Sequence, residues 1–336
     1  MTLGGRAIAS KVKRRIRHAL GMPVATVSPT PRRQWFESYE IGAMTELYFS
    51  QSYGLEAGWD PYREAHMRLP PWFEHGLDPL GDAYAAQQER LWQVIAGVDR
   101  PYDAEIDEKE HSWGDIDPVR SPGFFVRRDF AAIKAAADHM LATGMILKHS
   151  GLKSGQWALE YGAGFGQTAL ALARLGVNVD TVDISQTFCG YVREQADFFQ
   201  VPLTPFQGQF GNNPRPGQRY DLIWFYESFH HCVDFRRVVN ALDGLLAPGG
   251  RIILGGEPIE EHENDAVPYP WGVRLHSEVA VVVRRQHWFE LGFSEPFLFS
   301  LFASAGFVGH RVDCPSSLFG RLHVFERAES PAVSAV

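Results

Sequence analysis

Cysteine is scarce in this 336-residue chain: Cys189, Cys232 and Cys314 are odd in number and far apart. Without a C-x-x-C pair, neither a disulfide framework nor a thiolate metal site of the usual spacing is expected, and a reducing compartment fits. Long apolar runs are also missing. No stretch of ~18 apolar residues offers a membrane-spanning helix, and the start lacks the apolar region of a secretory signal, so a cytoplasmic location is expected. Residues 1–33 contain no Asp or Glu, yet hold eight Lys or Arg.

That segment is therefore +8 in a chain whose net charge is −8, which leaves −16 on the remainder. Phosphate neutralisation by Lys and Arg dominates nucleic-acid affinity, so an acidic body disfavours a nucleic-acid partner. Within the basic tail Ile8, Val12, Ile16 and Leu20 recur every four residues, while Lys11, Lys13, Arg14, Arg15 and Arg17 fall on other faces. Such a helix, over residues 6–20, suits peripheral contact with an anionic membrane surface. A solvated leader and a cleaved transit peptide are the alternatives.

With 45% apolar and 21% charged residues, the chain can bury a sizeable core in one large domain or two modest ones. From residue 34 to 147 it is rich in aromatics, among them Trp35, Tyr48, Trp59, Trp72 and Trp92, which are too many for a linker. Helices are expected over residues 37–52, 82–96 and 129–148, the last capped by Asp129, with His111 and Trp113 in an acidic loop. This helical, aromatic-rich region is expected to fold onto the rest and help build a pocket.

The most informative stretch is Trp157 to Gly166, WALEYGAGFG. An apolar run ends on Glu160, Gly162, Gly164 and Gly166 alternate with other residues, and Leu170, Leu172 and Leu175 then take up a helical spacing. Strand, glycine turn and helix in that order bring backbone close to a ligand, because a residue without Cβ can turn sharply at a strand end. A dinucleotide oxidoreductase would show G-x-G-x-x-G, but position 167 is Gln. The next strand, 177–183, ends on Asp183, where one carboxylate can accept both ribose hydroxyls. Capping the following helix is the competing role for Asp183.

Downstream, Pro205 demotes the segment from Leu203 to an edge strand, which would leave Gln209 and Phe210 beside a purine. Residues 221–226 read as a buried central strand, and its end carries Glu227, His230, His231 and Cys232. A helix over 235–246, a Pro-Gly-Gly turn and a strand to Leu254 follow. Residues 256–293 read as a lid insertion in which no helix is expected, before a helix over 294–305 and a closing pair of strands, 306–313 and 321–326.

The E-x-G-x-G-x-G turn, Asp183 and the late helix with its Pro-Gly-Gly turn together resemble class I methyltransferases that use S-adenosylmethionine (SAM), from roughly Lys148 to the C-terminus. The resemblance implies an α/β fold with a doubly wound, seven-stranded, mostly parallel sheet over residues 148–330, and SAM as cofactor. It implies cofactor contacts from Glu160, Gly162, Gly164, Gly166, Asp183, Ile184, Gln209, Phe210 and Tyr226. The expected acceptor is a small molecule or glycan, methylated at oxygen. His230 or His231 is the expected base, with Glu227 or Glu257 orienting it or binding the acceptor hydroxyl. Glu227, His230, His231 and Cys232 are metal-ligand types, but they lack the spaced pairs of a structural zinc site, so no metal is expected. A nucleotide-dependent oxidoreductase of similar fold and a non-catalytic binding protein are the competing classes.

Overall fold

A computed structural model of the chain describes residues 32–51, 54, 57–108, 116–126 and 131–328. The basic tail helix over residues 6–20, His111, Trp113 and the cap Asp129 lie outside the described residues. Among the described residues no helix is long and apolar enough to cross a membrane.

The N-terminal region runs through β1 (Trp35–Phe36), α1 (Ile41–Ser50), β2 (His66–Met67), α2 (Asp82–Ala96), α3 (Ala104–Asp107) and α4 (Ala132–His149). Strands and helices then alternate: β3 (Trp157–Tyr161), α5 (Gln167–Ala173), β4 (Asn178–Asp183), α6 (Gln186–Phe199), β5 (Leu203–Gln207), β6 (Tyr220–Tyr226), α7 (Phe235–Leu245) and β7 (Leu246–Gly255). The last third holds β8 (Ile259–Glu260), β9 (Trp271–Val273), α8 (Ser277–Gln286), β10 (Leu291–Ser294), α9 (Glu295–Ser304), β11 (Phe307–Val312) and β12 (Leu322–Arg327).

Seven strands form one sheet in the order β11-β12-β7-β6-β3-β4-β5. All pairs from β7 to β5 are parallel, and β12 runs antiparallel to both β7 and β11. This is the doubly wound, mostly parallel sheet expected. Its strand order reverses beside β3, which opens a crevice at the carboxyl ends of β3 and β6. Register brings those ends level, with Tyr161 opposite Val182 and Phe225, and Tyr226 opposite Gly255. Gly162, Glu227 and Gly256 therefore emerge along one rim, with Asp183 at the end of β4.

Apolar side chains on both sheet faces are buried, as parallel strands require. On one face Leu159, Tyr161, Ile223 and Phe225 join a core that also contains Phe36, Ile41, Trp59 and Trp92 from the N-terminal region. On the other face Ala158, Leu222, Trp224 and Ile253 pack with Ile146, Ala169, Leu172 and Val192. The N-terminal aromatics are thus part of the main core. Tryptophan anchors hold the join: Trp59 Nε1 donates to Glu278 at 3.0 Å, and Trp92 Nε1 donates to the His287 carbonyl at 3.1 Å.

Two expectations change. The segment after Gly255 is ordered as a second sheet, β8-β10-β9, with α8 packed against α1 and α2. The Val-rich sequence of α8 has modest intrinsic helix propensity, so tertiary burial of Ala280, Val281 and Val283 carries it. The first helix is also preceded by a separate 3₁₀ turn, Ser38–Glu40. Helix α6 is capped by Ser185, whose side chain accepts from Phe188 N at 3.0 Å.

Candidate active site

The glycine turn closes at the end of β3 with Gly162 at φ 68° and Gly164 at φ 52°. A Cβ at Gly162 would lie 2.5 Å from the Ser228 Cβ, whereas a Cβ at Gly164 would meet nothing within 4 Å. Gly162 is therefore required by packing, and Gly164 faces open space where a ligand can lie against the backbone. The Gly164 amide donates to Asp183 Oδ2 at 2.9 Å, and the Ser185 amide donates to Oδ1 at 2.8 Å. Asp183 is thus pinned at the strand end by two backbone donors.

These residues wall one end of a cavity of about 820 Å³. Gly162, Gly164, Asp183, Ile184, Gln209 and Phe210 line it. Glu160, Gly166 and Tyr226 do not line it. Glu160 is buried in the sheet and accepts from Trp224 Nε1 at 2.7 Å, and burial pushes its carboxyl up to about 8. A Cβ at Gly166 would strike Val192 Cγ2 at 2.7 Å, so that glycine lets α5 pack against α6. The empty space over Gly164 and the pinned carboxylate fit an adenosine-bearing cofactor.

The other end of the cavity is built from distant segments. Tyr48 and Phe49 come from α1, Tyr102 and Glu108 flank α3, and Trp288 follows α8. From the end of β6 come Glu227, Ser228 and His231. Glu227 has φ 50°, a left-handed backbone unusual for a side chain of this size, and such strain gathers at functional sites. Burial, then the nearby Glu257 carboxylate, pushes the Glu227 carboxyl up to about 8. Its Oε2 lies 3.3 Å from His139 Nδ1, and the same ring nitrogen is hydrogen-bonded to the Tyr226 hydroxyl.

The two histidines take different roles. His230 is 8% exposed and sits behind the cavity wall, with Nδ1 bonded to Glu257 Oε2 at 2.7 Å. Burial, then the neighbouring His231, lowers its pKa, so it is neutral. Glu257 also accepts from the amides of Ser228 and Phe229 at 2.9 Å each. Burial alone would raise the Glu257 pKa, but His230 and these amides hold it below the usual range. The Glu257–His230 pair therefore fixes the turn after β6. His231 borders the cavity, with Nδ1 3.1 Å from Glu108 Oε2 and its ring edge-on to Trp288. Burial would lower the His231 pKa, but Glu108 outweighs it and raises it to about 9. At neutral pH His231 is then a hydrogen-bond donor.

Glu290 stands behind His230, its Oε2 3.7 Å from His230 Nε2 and in contact with Arg274. Burial opposes ionisation there, but Arg274 holds the carboxyl down at about 2. Glu108, His139, Arg274 and Glu290 were not singled out as site residues in the sequence. None belongs to a local motif, and only the fold brings them to the end of β6.

A parallel sheet with a glycine turn at its switch point and an acid at the next strand end defines a nucleoside-binding Rossmann-like protein. Residues 159–254 match the family described as a methyltransferase domain. The sarcosine/dimethylglycine N-methyltransferase of Aphanothece halophytica is 28% identical over 37% of this chain and 46% of its own. The sterol 24-C-methyltransferase of Eremothecium gossypii is 27% identical over 59% of this chain and 52% of its own. The ubiquinone biosynthesis O-methyltransferase of Coxiella burnetii is 28% identical over 30% of this chain and 43% of its own. The chain spans about half the length of the curated relatives it matches. The matched domain and these relatives support the resemblance to class I, Rossmann-like methyltransferases.

Proposed function

We propose that the protein transfers the methyl group of SAM to a hydroxyl oxygen of a small-molecule or saccharide acceptor. The observation that carries this reading is Glu227, a half-buried carboxyl on a strained backbone, on the same cavity as the glycine turn. The relatives methylate nitrogen, carbon and oxygen by their names, so the acceptor atom is argued from this site.

When bound, SAM supplies an electrophilic methyl on a leaving group that is already activated. The chain's own contribution is then alignment, exclusion of water and disposal of a proton. Gly164 gives room for the cofactor, and Asp183 accepts from its ribose hydroxyls. Glu227, ionised, accepts the acceptor hydroxyl's proton as the oxygen attacks. A carboxyl pushed up to about 8 is a far stronger base than an ordinary glutamate. Tyr226 and His139 hold that carboxylate in place, and His231 with Trp288 bounds the acceptor end.

Calorimetric titration with S-adenosylhomocysteine beside NADH separates this reading from an oxidoreductase. Binding of NADH alone reverses the assignment, and binding of neither favours a non-catalytic protein. Labelled SAM with a panel of hydroxylated small molecules and saccharides then finds the acceptor. Exclusive labelling of amines would refute the oxygen assignment.

A further inference from the structure

Behind the cavity wall three side chains of metal-ligand type converge from two separate segments. One ligand atom each from His230, His231 and Glu290 lies within 4.8 Å of the others. Among the described residues this is the one such group of three or more His, Cys, Asp or Glu. Two of the three are nearly fully buried, at 8% for His230 and 6% for Glu290.

Each imidazole is backed by a carboxylate: Glu257 Oε2 at 2.7 Å from His230 Nδ1, and Glu108 Oε2 at 3.1 Å from His231 Nδ1. A carboxylate behind a ring nitrogen orients metal-binding histidines and leaves the other nitrogen directed forward. His230 Nε2 stands 3.7 Å from Glu290 Oε2, too far for a hydrogen bond. That gap is close to the ~3.4 Å edge of a tetrahedron whose metal–ligand bonds are about 2.1 Å. Three carboxylates, from Glu108, Glu257 and Glu290, surround the two rings, while Arg274 is the permanent cation on Glu290. Protonated His231 offsets one more of these charges, and a divalent cation would take its place by displacing that ring's proton.

We propose that His230, His231 and Glu290 bind one divalent first-row transition-metal ion. Two imidazoles and a carboxylate suit Zn²⁺, Mn²⁺ or Fe²⁺, whereas Mg²⁺ takes oxygen ligands. Arg274 then acts as an outer partner of the Glu290 ligand. Three protein ligands leave a coordination position open, and His231 borders the cavity. The inference deepens the methyl-transfer reading and rests on it for its role: the acceptor oxygen bonds to the metal, its O–H bond weakens, and the proton passes to Glu227. The histidine pair is adjacent in sequence, but the third ligand arrives on β10's approach, so the spacing of a sequence motif could not show the site.

The test uses the full-length protein, stripped with a chelator and titrated with Co²⁺ by absorption spectroscopy and with Zn²⁺ and Mg²⁺ by calorimetry. One Co²⁺ or Zn²⁺ per chain is expected, with visible Co²⁺ bands of a low-coordinate nitrogen and oxygen site, and no Mg²⁺ binding. Glu290→Gln and His231→Gln should each weaken Zn²⁺ by more than ~100-fold, and Glu108→Gln by ~10- to 100-fold, the usual loss for an outer partner. Thermal melts identify any variant that fails to fold, and the remaining two then decide. No Co²⁺ or Zn²⁺ uptake, or uptake unchanged in folded Glu290→Gln and His231→Gln, overturns the site. S-adenosylhomocysteine binding by the stripped protein is measured in parallel. Its loss counts against the methyl-transfer reading and not against the metal.

Discussion

The two ends of the cavity are made in different ways. The cofactor end comes from one short run of chain and the strand beside it: Gly162, Gly164 and Asp183, tied by the bond from Gly164 N to Asp183 Oδ2. The acceptor end comes from Tyr48, Glu108, Glu227, His231 and Trp288, which only tertiary packing brings together. A local motif can be read from spacing because backbone geometry dictates the residue type at each position. A site assembled from loops and helix ends carries no such spacing. The cofactor end should therefore fail by loss of binding, and the acceptor end by loss of turnover.

The sharpest break in that division is Gly164→Val. At φ 52° a β-branched side chain is strained, and its methyls would enter the open space over the turn. Binding of S-adenosylhomocysteine should be abolished while circular dichroism shows a folded protein. Unchanged affinity in a folded variant would move the cofactor elsewhere.

At the acceptor end, Glu227→Gln should lower turnover by ~10²- to 10⁴-fold, the usual contribution of a general base, with S-adenosylhomocysteine affinity nearly unchanged. The carboxyl must be ionised to take a proton, and its pKa is raised to about 8, so the parent rate should climb with pH through that value. In Glu227→Gln the climb should vanish. Full single-turnover activity in the variant would return the base role to a histidine or leave alignment alone.

A subtler contrast lies within the cofactor end. Asp183→Ala should weaken SAM by ~1.5–3 kcal/mol, the range for hydrogen bonds to a charged partner. Because Ser185 is the observed cap of α6, the helix should survive the change. A fall in thermal stability with SAM affinity intact would reduce Asp183 to a fold-holding residue that ties Gly164 to Ser185.

The same contrast explains what was legible in the sequence. The seven-stranded sheet was legible through the resemblance carried by the glycine turn, Asp183 and the Pro-Gly-Gly turn, while apolar runs such as 157–161 and 221–226 read as buried strands by themselves. Helix α8 was not, since its valines have modest helix propensity and are helical because they pack against α1 and α2. Glu227, His230, His231 and Glu257 stood out because they follow strand ends. Which of them faces the cavity depended on the twist of the 3₁₀ turn Phe229–His231, which buries His230 and presents His231. Glu108 lay in an acidic loop with no pattern at all.

Glu160 gives the smallest effect on cofactor affinity and tests the boundary between binding and folding. It belongs to the glycine motif by sequence, but the structure buries it against Trp224, away from the cavity. Burial pushes its folded pKa up to about 8, above the ordinary glutamate value of 4.5. A raised folded pKa means that the native state holds a proton the unfolded chain has released. Its contribution to stability is thus fully present below the unfolded value and is lost as pH rises through the folded one. Between those values stability should fall by about 1.4 kcal/mol per pH unit from this group. Glu160→Gln keeps an acceptor for Trp224 Nε1 and cannot ionise, so its urea-unfolding stability should lose that slope while S-adenosylhomocysteine affinity changes little. An unaltered slope would show that Glu160 is ionised in the folded protein, and a large loss of affinity would restore it to the cofactor site.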